Sequence, residues 1–445
     1  MLFLREEITN YEKKYKIWKL TLIKVKDKKK YKKIYVFGIL VYKKRKQHED
    51  NNIFYVRNAP LYAVYYNKTY LNNKQLDVAI IEKGTVLPLK LDHESGIWGN
   101  YKGGVVDANY NFIAGIERRM GHHTISPSCL SAYEYNKKDV KYFDEEVIFG
   151  GILFPMWGHF FCESLARFWY VLRNKSQQKI VCLVYDNQIK EYFYELFELM
   201  NIKREQIIFI SEISQFKKII IPEQCIVPTE YYTQEFKEIF SIIRSNISPA
   251  KYKKVYLTRT KLTKQDCLNE SYFEKFFVRQ GFKVIAPEMH SVKEQISILA
   301  GAKEIVCTTG TLSNMILFAQ PKTKLVCLNR ISTEEFSVAL QPLINQVAEN
   351  KFQLVDISNN FLPVTHSGGV FLLGANKYWK EFLQNNNYHY KPKDIEFNIK
   401  DFFEEYCQRW IENYSSSYNY NFIKSKTPQD FITTLKSILV KGNKK

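Results

Sequence analysis

Residues 303–329, KEIVCTTGTLSNMILFAQPKTKLVCLN, decide the predicted fold of the chain. The first part, Glu304–Thr308, is an apolar run rich in β-branched residues, which is typical of a strand buried on both faces. A tight turn at Gly310 follows, and apolar residues then recur at helical spacing until Pro321. Residues 325–328 predict another strand. This strand–helix–strand order is the repeating unit of a parallel sheet.

The turn at residues 308–311 puts a helix N-terminus at the carboxyl end of that strand. Ligands of open α/β sheets bind at this edge, and the free N–H groups of a helix N-terminus favour a phosphate. An ordinary strand-to-helix turn, in which Gly310 supplies a positive φ angle, explains the same residues. The turn alone therefore leaves both interpretations open.

Strands and helices alternate regularly from about residue 147, with a break at residues 246–249 that has the composition of an interdomain joint. Such alternation predicts parallel sheets with helices on both faces. The predicted helices include Gln234–Ser245 and Val292–Gly301, and a capping box of Ser291 and Glu294 opens the second. We therefore predict an α/β protein with two Rossmann-like domains that face a cleft. The predicted organisation is a basic N-terminal module (1–48), an N-terminal acceptor domain (49–246), a C-terminal donor domain (247–375) and a helical C-terminal tail (376–445).

The basic module carries most of the positive charge. Residues 1–48 contain 16 Lys and Arg against 4 Asp and Glu, and the whole chain has a net charge of +19. Here lysines are interleaved with aromatic and aliphatic residues, which predicts a helix or strand followed by a basic β-hairpin. The pattern suits an anionic membrane surface, where each basic residue contributes about 1 kcal/mol, or nucleic acid. A solvated basic face explains it equally well.

The eight cysteines show no CxxC pair and no zinc-ligand spacing. Several lie inside apolar strands or helices, so we predict reduced, buried thiols in a cytosolic protein. Charged residues interrupt the first ten positions, which is not the pattern of a signal peptide, and no apolar run approaches the length of a membrane span.

Residues 150–167 predict a strand, a glycine turn and a helix that carries His159, Glu163 and Arg167. A spacing of four places these three side chains on one helix face. An imidazole and a carboxylate at the edge of a sheet can supply a base for a hydroxyl group. The alternative is a surface salt bridge between Glu163 and Arg167, with His159 capping the turn.

Residues 256–264 predict a strand end followed by Arg259 and several lysines, and they lead to Asn269 and Glu270 at the next helix start. A guanidinium group forks onto phosphate oxygens, so this arrangement favours a phosphate clamp. The alternative is a basic loop on a basic protein.

Four segments in this order resemble glycosyltransferase family 61. The resemblance covers roughly residues 147–330. The chain departs from the family pattern at Cys267 and Leu268, where another arginine is common, and at residues 308–311, where G-x-x-G-A is common. These departures leave the donor sugar open. The matching segments are GHFFCE (158–163), LTRTKLTKQDCLNE (257–270), GFKVIAPEMHSVKEQ (281–295) and GTLSNMILF (310–318).

The resemblance implies a GT-B fold and inverting transfer from a nucleotide sugar without a DxD metal site; the chain itself contains no D-x-D triplet. We therefore expect no metal and no cofactor besides the nucleotide-sugar substrate. Either Glu163 or His159 is expected to deprotonate the acceptor hydroxyl, and Asn269 and Glu270 either order the donor loop or bind ribose. The expected donor-binding residues are Arg259, Lys264, Asn269, Glu270, Gly310, Thr311, Leu312, Ser313 and Asn314.

The expected biological role is synthesis of a bacterial surface polysaccharide, such as capsule or lipopolysaccharide. The acceptor would be a glycan or a lipid-linked sugar, and the enzyme would be cytoplasmic and peripheral on the inner membrane. The competing hypothesis is a basic nucleic-acid-binding protein without enzymatic activity, motivated by the pI of 9.3. The sequence contains no RNA- or DNA-binding motif, so we expect no nucleic-acid partner. A donor-binding scaffold without turnover is a third hypothesis.

Overall fold

The computed structural model describes residues 52–92, 101–116, 131–262, 267–331, 340–362, 364, 370–413 and 433. For the strands between residues 4 and 45, and for residues 414–416, it describes secondary structure alone. The chain divides into two compact units, Met1–Ile53 and Phe54–Lys445.

The first unit contains an antiparallel sheet in which consecutive strands are neighbours. The interleaved lysines and apolar residues therefore form strands, and the helix that the sequence allowed before the hairpin is not present in the described part. The strands are β1 (Leu4–Thr9), β2 (Glu12–Ile17), β3 (Leu20–Lys28), β4 (Tyr31–Val36) and β5 (Ile39–Arg45).

The elements that follow build two large sheets and two small strand pairs. Up to residue 245 they are β6 (Asn52–Tyr55), α1 (Ala59–Asn67), β7 (Val78–Glu82), β8 (Thr85–Leu91), β9 (Tyr101–Val106), β10 (Lys141–Leu153), α2 (Trp157–Glu163), α3 (Trp169–Asn174), β11 (Lys179–Val184), α4 (Glu191–Leu199), β12 (Ile207–Phe209), β13 (Ser214–Pro222), β14 (Ile226–Val227), β15 (Tyr231–Tyr232) and α5 (Gln234–Ser245). Beyond it they are β16 (Lys254–Leu257), β17 (Cys267–Leu268), α6 (Glu270–Arg279), β18 (Lys283–Ile285), α7 (Val292–Gly301), β19 (Glu304–Thr308), α8 (Thr311–Asn314), β20 (Lys324–Asn329), α9 (Gln341–Ala348), β21 (Lys351–Asp356), β22 (Phe371–Leu372), α10 (Lys377–Asn385) and α11 (Phe403–Ser416).

The first of these sheets has the order β12-β11-β10-β13-β8-β9, and β7 also pairs with β13. The strands β10 to β13 are parallel to one another, and β7 and β8 run antiparallel to β13. The strand order reverses between β10 and β13. The carboxyl end of β10, where α2 begins, is therefore a topological switch point, the place where open α/β sheets bind ligands.

The second sheet has the order β18-β16-β19-β20-β21-β6, and its strands from β18 to β21 are parallel. Its order reverses between β16 and β19. The loops that follow these two strands accordingly lie on either side of a second switch point. A small parallel pair, β17 with β22, adjoins the first of these loops.

The predicted boundaries of α5, α7 and β19 are confirmed to the residue. The predicted capping box of α7 is also present, because Glu294 N donates to Ser291 Oγ at 3.3 Å and Ser291 N donates to Glu294 Oε2 at 2.9 Å.

The prediction of one continuous helix that carries His159, Glu163 and Arg167 is wrong, and Gly150 and Gly151 lie inside β10 rather than in a turn. The α-helix ends at Glu163, whose φ angle is −133°, and a 3₁₀ turn, Ser164–Arg167, separates it from α3. The break has tertiary causes. Phe154 N donates to Ser164 Oγ at 3.1 Å, and the Arg167 guanidinium donates to the carbonyl oxygens of Pro222 and Gly115. These contacts hold the turn away from the path of a regular helix.

One hydrophobic cluster contains residues of both large sheets and of the helices that pack on them. Phe318, in the 3₁₀ turn Met315–Phe318 that continues α8, packs against three aromatic rings from the other sheet's helices. Its ring centroid lies 5.2 Å from that of Phe161, 5.5 Å from that of Phe240 and 6.0 Å from that of Trp157. This packing brings the start of α2 and the start of α8 together.

Candidate active site

The starts of α2 and α8 are in contact. A Cβ atom built on Gly158 would lie 2.7 Å from Thr311 Oγ1 and 3.1 Å from Thr311 Cγ2, so any side chain there would have to displace Thr311. Because each helix begins at the switch point of its own sheet, the two ligand-binding edges adjoin at this contact.

His159 and Glu163 form a hydrogen-bonded pair one turn into α2. The His159 Nδ1 and Glu163 Oε1 atoms are 2.7 Å apart, and the imidazole is 45% exposed while the carboxylate is 4% exposed. A carboxylate accepts, so Nδ1 donates and Nε2 is left as the proton acceptor of a neutral ring. The pair can therefore act as a base that is oriented by a buried carboxylate.

The alternative prediction for this helix, a surface salt bridge between Glu163 and Arg167, is wrong. Glu163 and Arg167 are both buried, and Arg167 donates to main-chain carbonyl groups. The helix break also takes Arg167 off the face that carries His159.

Two glutamates of α6 hold the loop that carries Arg259. The backbone N–H of Arg259 donates to Glu270 Oε1 at 3.2 Å, while the hydroxyls of Thr258 and Thr260 donate to Glu274 Oε1. Glu270 is 1% exposed, and burial raises the pKa of its carboxyl from 4.5 to about 7, against the opposing effect of the Arg259 N–H. Glu270 lies beneath the loop, where it orders the backbone around Arg259.

Asn269 precedes α6 in a left-handed conformation, with a φ of 70°, and its Nδ2 donates to Leu373 O at 2.9 Å. Its amide thus connects the start of α6 to the segment after β22. Lys264, the other basic residue predicted to bind the donor, lies outside the described residues.

The turn before α8 needs glycine. Gly310 has a φ of 121° and a ψ of −148°, a region that is essentially restricted to glycine. Ser313 Oγ closes the turn by accepting from Gly310 N at 3.2 Å and donating to Gly310 O at 2.8 Å. Leu312 is buried in the core, whereas Thr311 and Asn314 are partly exposed at the edge. The helix itself is a single turn of four residues.

Arg330 was not predicted from the sequence. It follows β20 directly and is 8% exposed, and its Nη2 lies 3.1 Å from where a Cβ atom on Gly310 would be. The signal that could have identified it is the one that identified Arg259, an arginine at the end of a predicted buried strand.

A second set of unpredicted residues lies at the carboxyl end of β11, beside α2. The Tyr101 hydroxyl donates to Asp186 Oδ1, and the ring of Tyr101 packs against that of Tyr185, 4.9 Å away. Phe154 links this group to the base, since its ring centroid is 5.3 Å from Tyr185 and 6.2 Å from His159. Sequence reasoning could not bring them together because 85 residues separate Tyr101 from Asp186.

Within the ranges that the structure describes, no group of three or more His, Cys, Asp or Glu side chains is arranged to hold a metal ion. The seven cysteines in those ranges are all buried. Likewise, none of the described helices is long and apolar enough to cross a membrane.

Comparison with known proteins assigns this part of the chain. No curated protein matches the sequence. Residues 157–326, however, match the family model for glycosyltransferase 61, and this range contains the His159–Glu163 pair, the Arg259 loop and the Gly310 turn. Over residues 157–326 the chain is therefore similar to glycosyltransferase family 61, and the protein is a glycosyltransferase.

Proposed function

We propose that the protein transfers a sugar, with inversion, from a nucleoside-diphosphate donor to a hydroxyl group, within a GT-B arrangement of two Rossmann-like domains, residues 49–246 and 247–375. The observation that carries the proposal is the contact between Gly158 and Thr311. It sets a base at the switch point of one sheet against the Gly310 turn of the other, so that acceptor and donor can meet.

In the proposed mechanism His159 is the base and Glu163 positions it. The acceptor hydroxyl loses its proton to His159 Nε2 as its oxygen attacks the anomeric carbon on the face opposite the diphosphate. The bond from that carbon to the diphosphate oxygen breaks, and its electron pair leaves with the diphosphate. The partly exposed ring is accessible to a substrate, whereas the buried Glu163 acts through the ring.

The donor side is proposed to stabilise the leaving diphosphate without a metal ion. Arg259 supplies a charged fork, and the Gly310 turn supplies main-chain N–H groups and the hydroxyl of Thr311. Glu270, Ser313, Leu312 and Asn269 keep these groups in place, as their burial and hydrogen bonds support. Lys264 remains a proposed donor-binding residue on the sequence alone.

The acceptor side is proposed to lie at the carboxyl ends of β10 and β11. Asp186 is exposed there beside aromatic rings, and a carboxylate next to an aromatic surface suits the hydroxyls and apolar face of a sugar. We propose a glycan or lipid-linked acceptor in bacterial surface polysaccharide synthesis, reached at the inner leaflet through the basic residues 1–48. Nucleic-acid binding without enzymatic activity is not favoured, since the match to a transferase family gives the chain a different function.

The test is thermal stabilisation of the purified protein by UDP, GDP, ADP, dTDP and CMP and their sugar conjugates, with and without EDTA. We expect one nucleotide class to raise the melting temperature, and the shift to survive EDTA. Arg259→Ala should abolish the shift, whereas Arg204→Ala, which removes an exposed arginine paired with Glu191, should leave it intact. A shift that EDTA abolishes would rule out the metal-independent mechanism, and no shift at all would contradict the donor assignment.

A further inference from the structure

We propose that Arg330 binds the diphosphate of the donor, as a second cation on the opposite side of the Gly310 turn from Arg259. The inference rests on the proposed function and names a donor-binding residue just outside the range matched by the family.

The strand order gives Arg330 its place. The strands β16, β19 and β20 are parallel neighbours, so their carboxyl ends lie side by side. Arg259 comes two residues after the first of these ends, Gly310 two residues after the second, and Arg330 directly after the third. An anion over the central turn is therefore flanked by an arginine from each neighbouring strand.

Arg330 is buried, and among the described residues no ion pair within 4.0 Å joins its guanidinium to a carboxylate. The guanidinium contacts Cys267 Sγ, 4.0 Å from Nη1, and the ring of Phe371, whose centroid is 4.4 Å away. In the described part of the chain, Arg330 Nε has no hydrogen-bond partner. Burial of an arginine without an anion is unfavourable, because the charge loses its hydration and gains no counter-charge. A bound anion would supply that counter-charge.

Glu270 does not fully neutralise this pair of arginines. It lies close enough for both guanidinium groups to lower its pKa, but burial outweighs them and raises that pKa to about 7. Burial thus disfavours the ionised form of Glu270, so this carboxyl is an incomplete counter-charge for the two arginines.

The geometry at Gly310 lets the guanidinium reach the turn. Because Arg330 Nη2 is 3.1 Å from the position of a Cβ atom on Gly310, any other residue would crowd the guanidinium. The backbone that carries the side chain is also held in place, since Asn360 Nδ2 donates to Arg330 O at 2.8 Å and Asn329 Nδ2 donates to Ile331 O at 2.7 Å. A fixed, planar guanidinium beside main-chain N–H groups suits the several oxygens of a phosphate better than it suits an anion that offers a single charged atom.

The experiment compares the affinities of a nucleoside diphosphate and its monophosphate by calorimetry. The probe is whichever of UDP, GDP, ADP and dTDP stabilises the wild type most. Arg330→Gln should weaken binding of the diphosphate by at least about tenfold while changing that of the monophosphate much less, because a hydrogen-bonded charge contact is lost at the second phosphate. Arg330→Lys should recover part of the loss. Arg279→Gln is the matched control, since this arginine pairs with Asp394 at the far end of α6.

Equal losses for the two nucleotides, or an unchanged diphosphate affinity, would overturn the inference and assign Arg330 a structural role on Phe371. If Arg330→Gln fails to fold, Arg330→Lys decides, because a purely structural cation would leave the ratio of the two affinities at the wild-type value. A wild type that binds monophosphate as tightly as diphosphate also overturns it. If the wild type binds none of these nucleotides, the proposed function fails as well, so the two failures are distinguishable.

Discussion

Gly158 lies so close to Thr311 that a single added carbon would sit 2.7 Å from the threonine hydroxyl oxygen. The two residues belong to helices that start at different sheets, one beside the proposed base and the other beside the proposed donor turn. The distance between the reacting groups therefore depends on the absence of a side chain at one position.

Substitution of Gly158 by alanine should reduce both stability and activity. The added methyl group has to displace Thr311, and overpacking of this kind costs about 1–3 kcal/mol. Denaturant unfolding and kcat should both show the effect. The double variant Gly158→Ala/Thr311→Ala removes the two closest contacts and should recover most of the stability. If the single and double variants are equally destabilised, the contact is not the cause.

Replacement of His159 by glutamine should lower kcat by about 10²–10⁴-fold, the usual contribution of a general base, with little change in the melting temperature because the ring is half-exposed. Glu163→Gln should also lower kcat, since an amide that donates to Nδ1 places the proton on Nε2. Nucleotide affinity should not change in either variant. A His159 variant with wild-type kcat and an inactive Glu163 variant would make the carboxylate the base.

Glu270 should make stability depend on pH. Its pKa is about 7 in the folded chain and 4.5 ordinarily, so only the folded chain holds the proton between these values. The free energy of unfolding should therefore fall as the pH rises through this window and level off above it. Glu270→Gln lacks this slope, and at about pH 8 it should be more stable than the wild type by up to about 3 kcal/mol. Denaturant unfolding at about pH 5 and pH 8 measures this, and parallel pH profiles would contradict it.

Asp186 should affect the acceptor and not the donor. Its exposed carboxylate lies at the proposed acceptor side and accepts a hydrogen bond from the Tyr101 hydroxyl. Asp186→Ala should raise the KM for the acceptor by about 10-fold or more, the effect of losing a hydrogen bond to a charged group, at an unchanged KM for the donor. Tyr101→Phe should have a smaller effect of the same kind. An equal rise in both KM values would indicate a structural effect instead.

The basic module should control membrane binding. Replacement of Lys43, Lys44, Arg45 and Lys46 by glutamine in the full chain should weaken partitioning onto anionic lipid vesicles by more than about tenfold, given roughly 1 kcal/mol for each basic residue near the surface. Vesicles of neutral lipid are the control. Removal of residues 1–48 should abolish the binding, and unchanged cosedimentation of that variant would refute the membrane role.

Local sequence signals were sufficient for much of the fold. The helices α5 and α7 begin and end at the predicted residues because a strong apolar stripe and, for α7, a capping box specify them locally. The break after Glu163 could not be predicted, since it depends on carbonyl acceptors at Gly115 and Pro222. Local patterns also contain nothing about strand order, on which the two switch points depend.

The candidate site also combines residues that local sequence predicts with residues that only tertiary structure brings together. His159, Glu163 and Arg259 lie in segments whose residue types and spacing indicate chemistry, so the sequence alone predicts them as candidate site residues. Arg330 shows only an arginine at the end of a predicted strand, without the lysines that follow Arg259, and its relation to Gly310 exists only because β19 and β20 are neighbours. Pairing between strands, rather than any motif, brings it to the turn.

The short parallel pair of β17 and β22 joins the range that matches the family to a segment of chain outside that range. Residues 157–326 match the family, yet Leu373 accepts the amide of Asn269, and Phe371 lies under the Arg330 guanidinium. In a chimera that exchanges only residues 157–326 between two such enzymes, the Arg259 loop comes from one enzyme. The β22 strand beside that loop comes from the other. Exchange of donor specificity should therefore require that residues 157–326 and the segment around β22 be exchanged together.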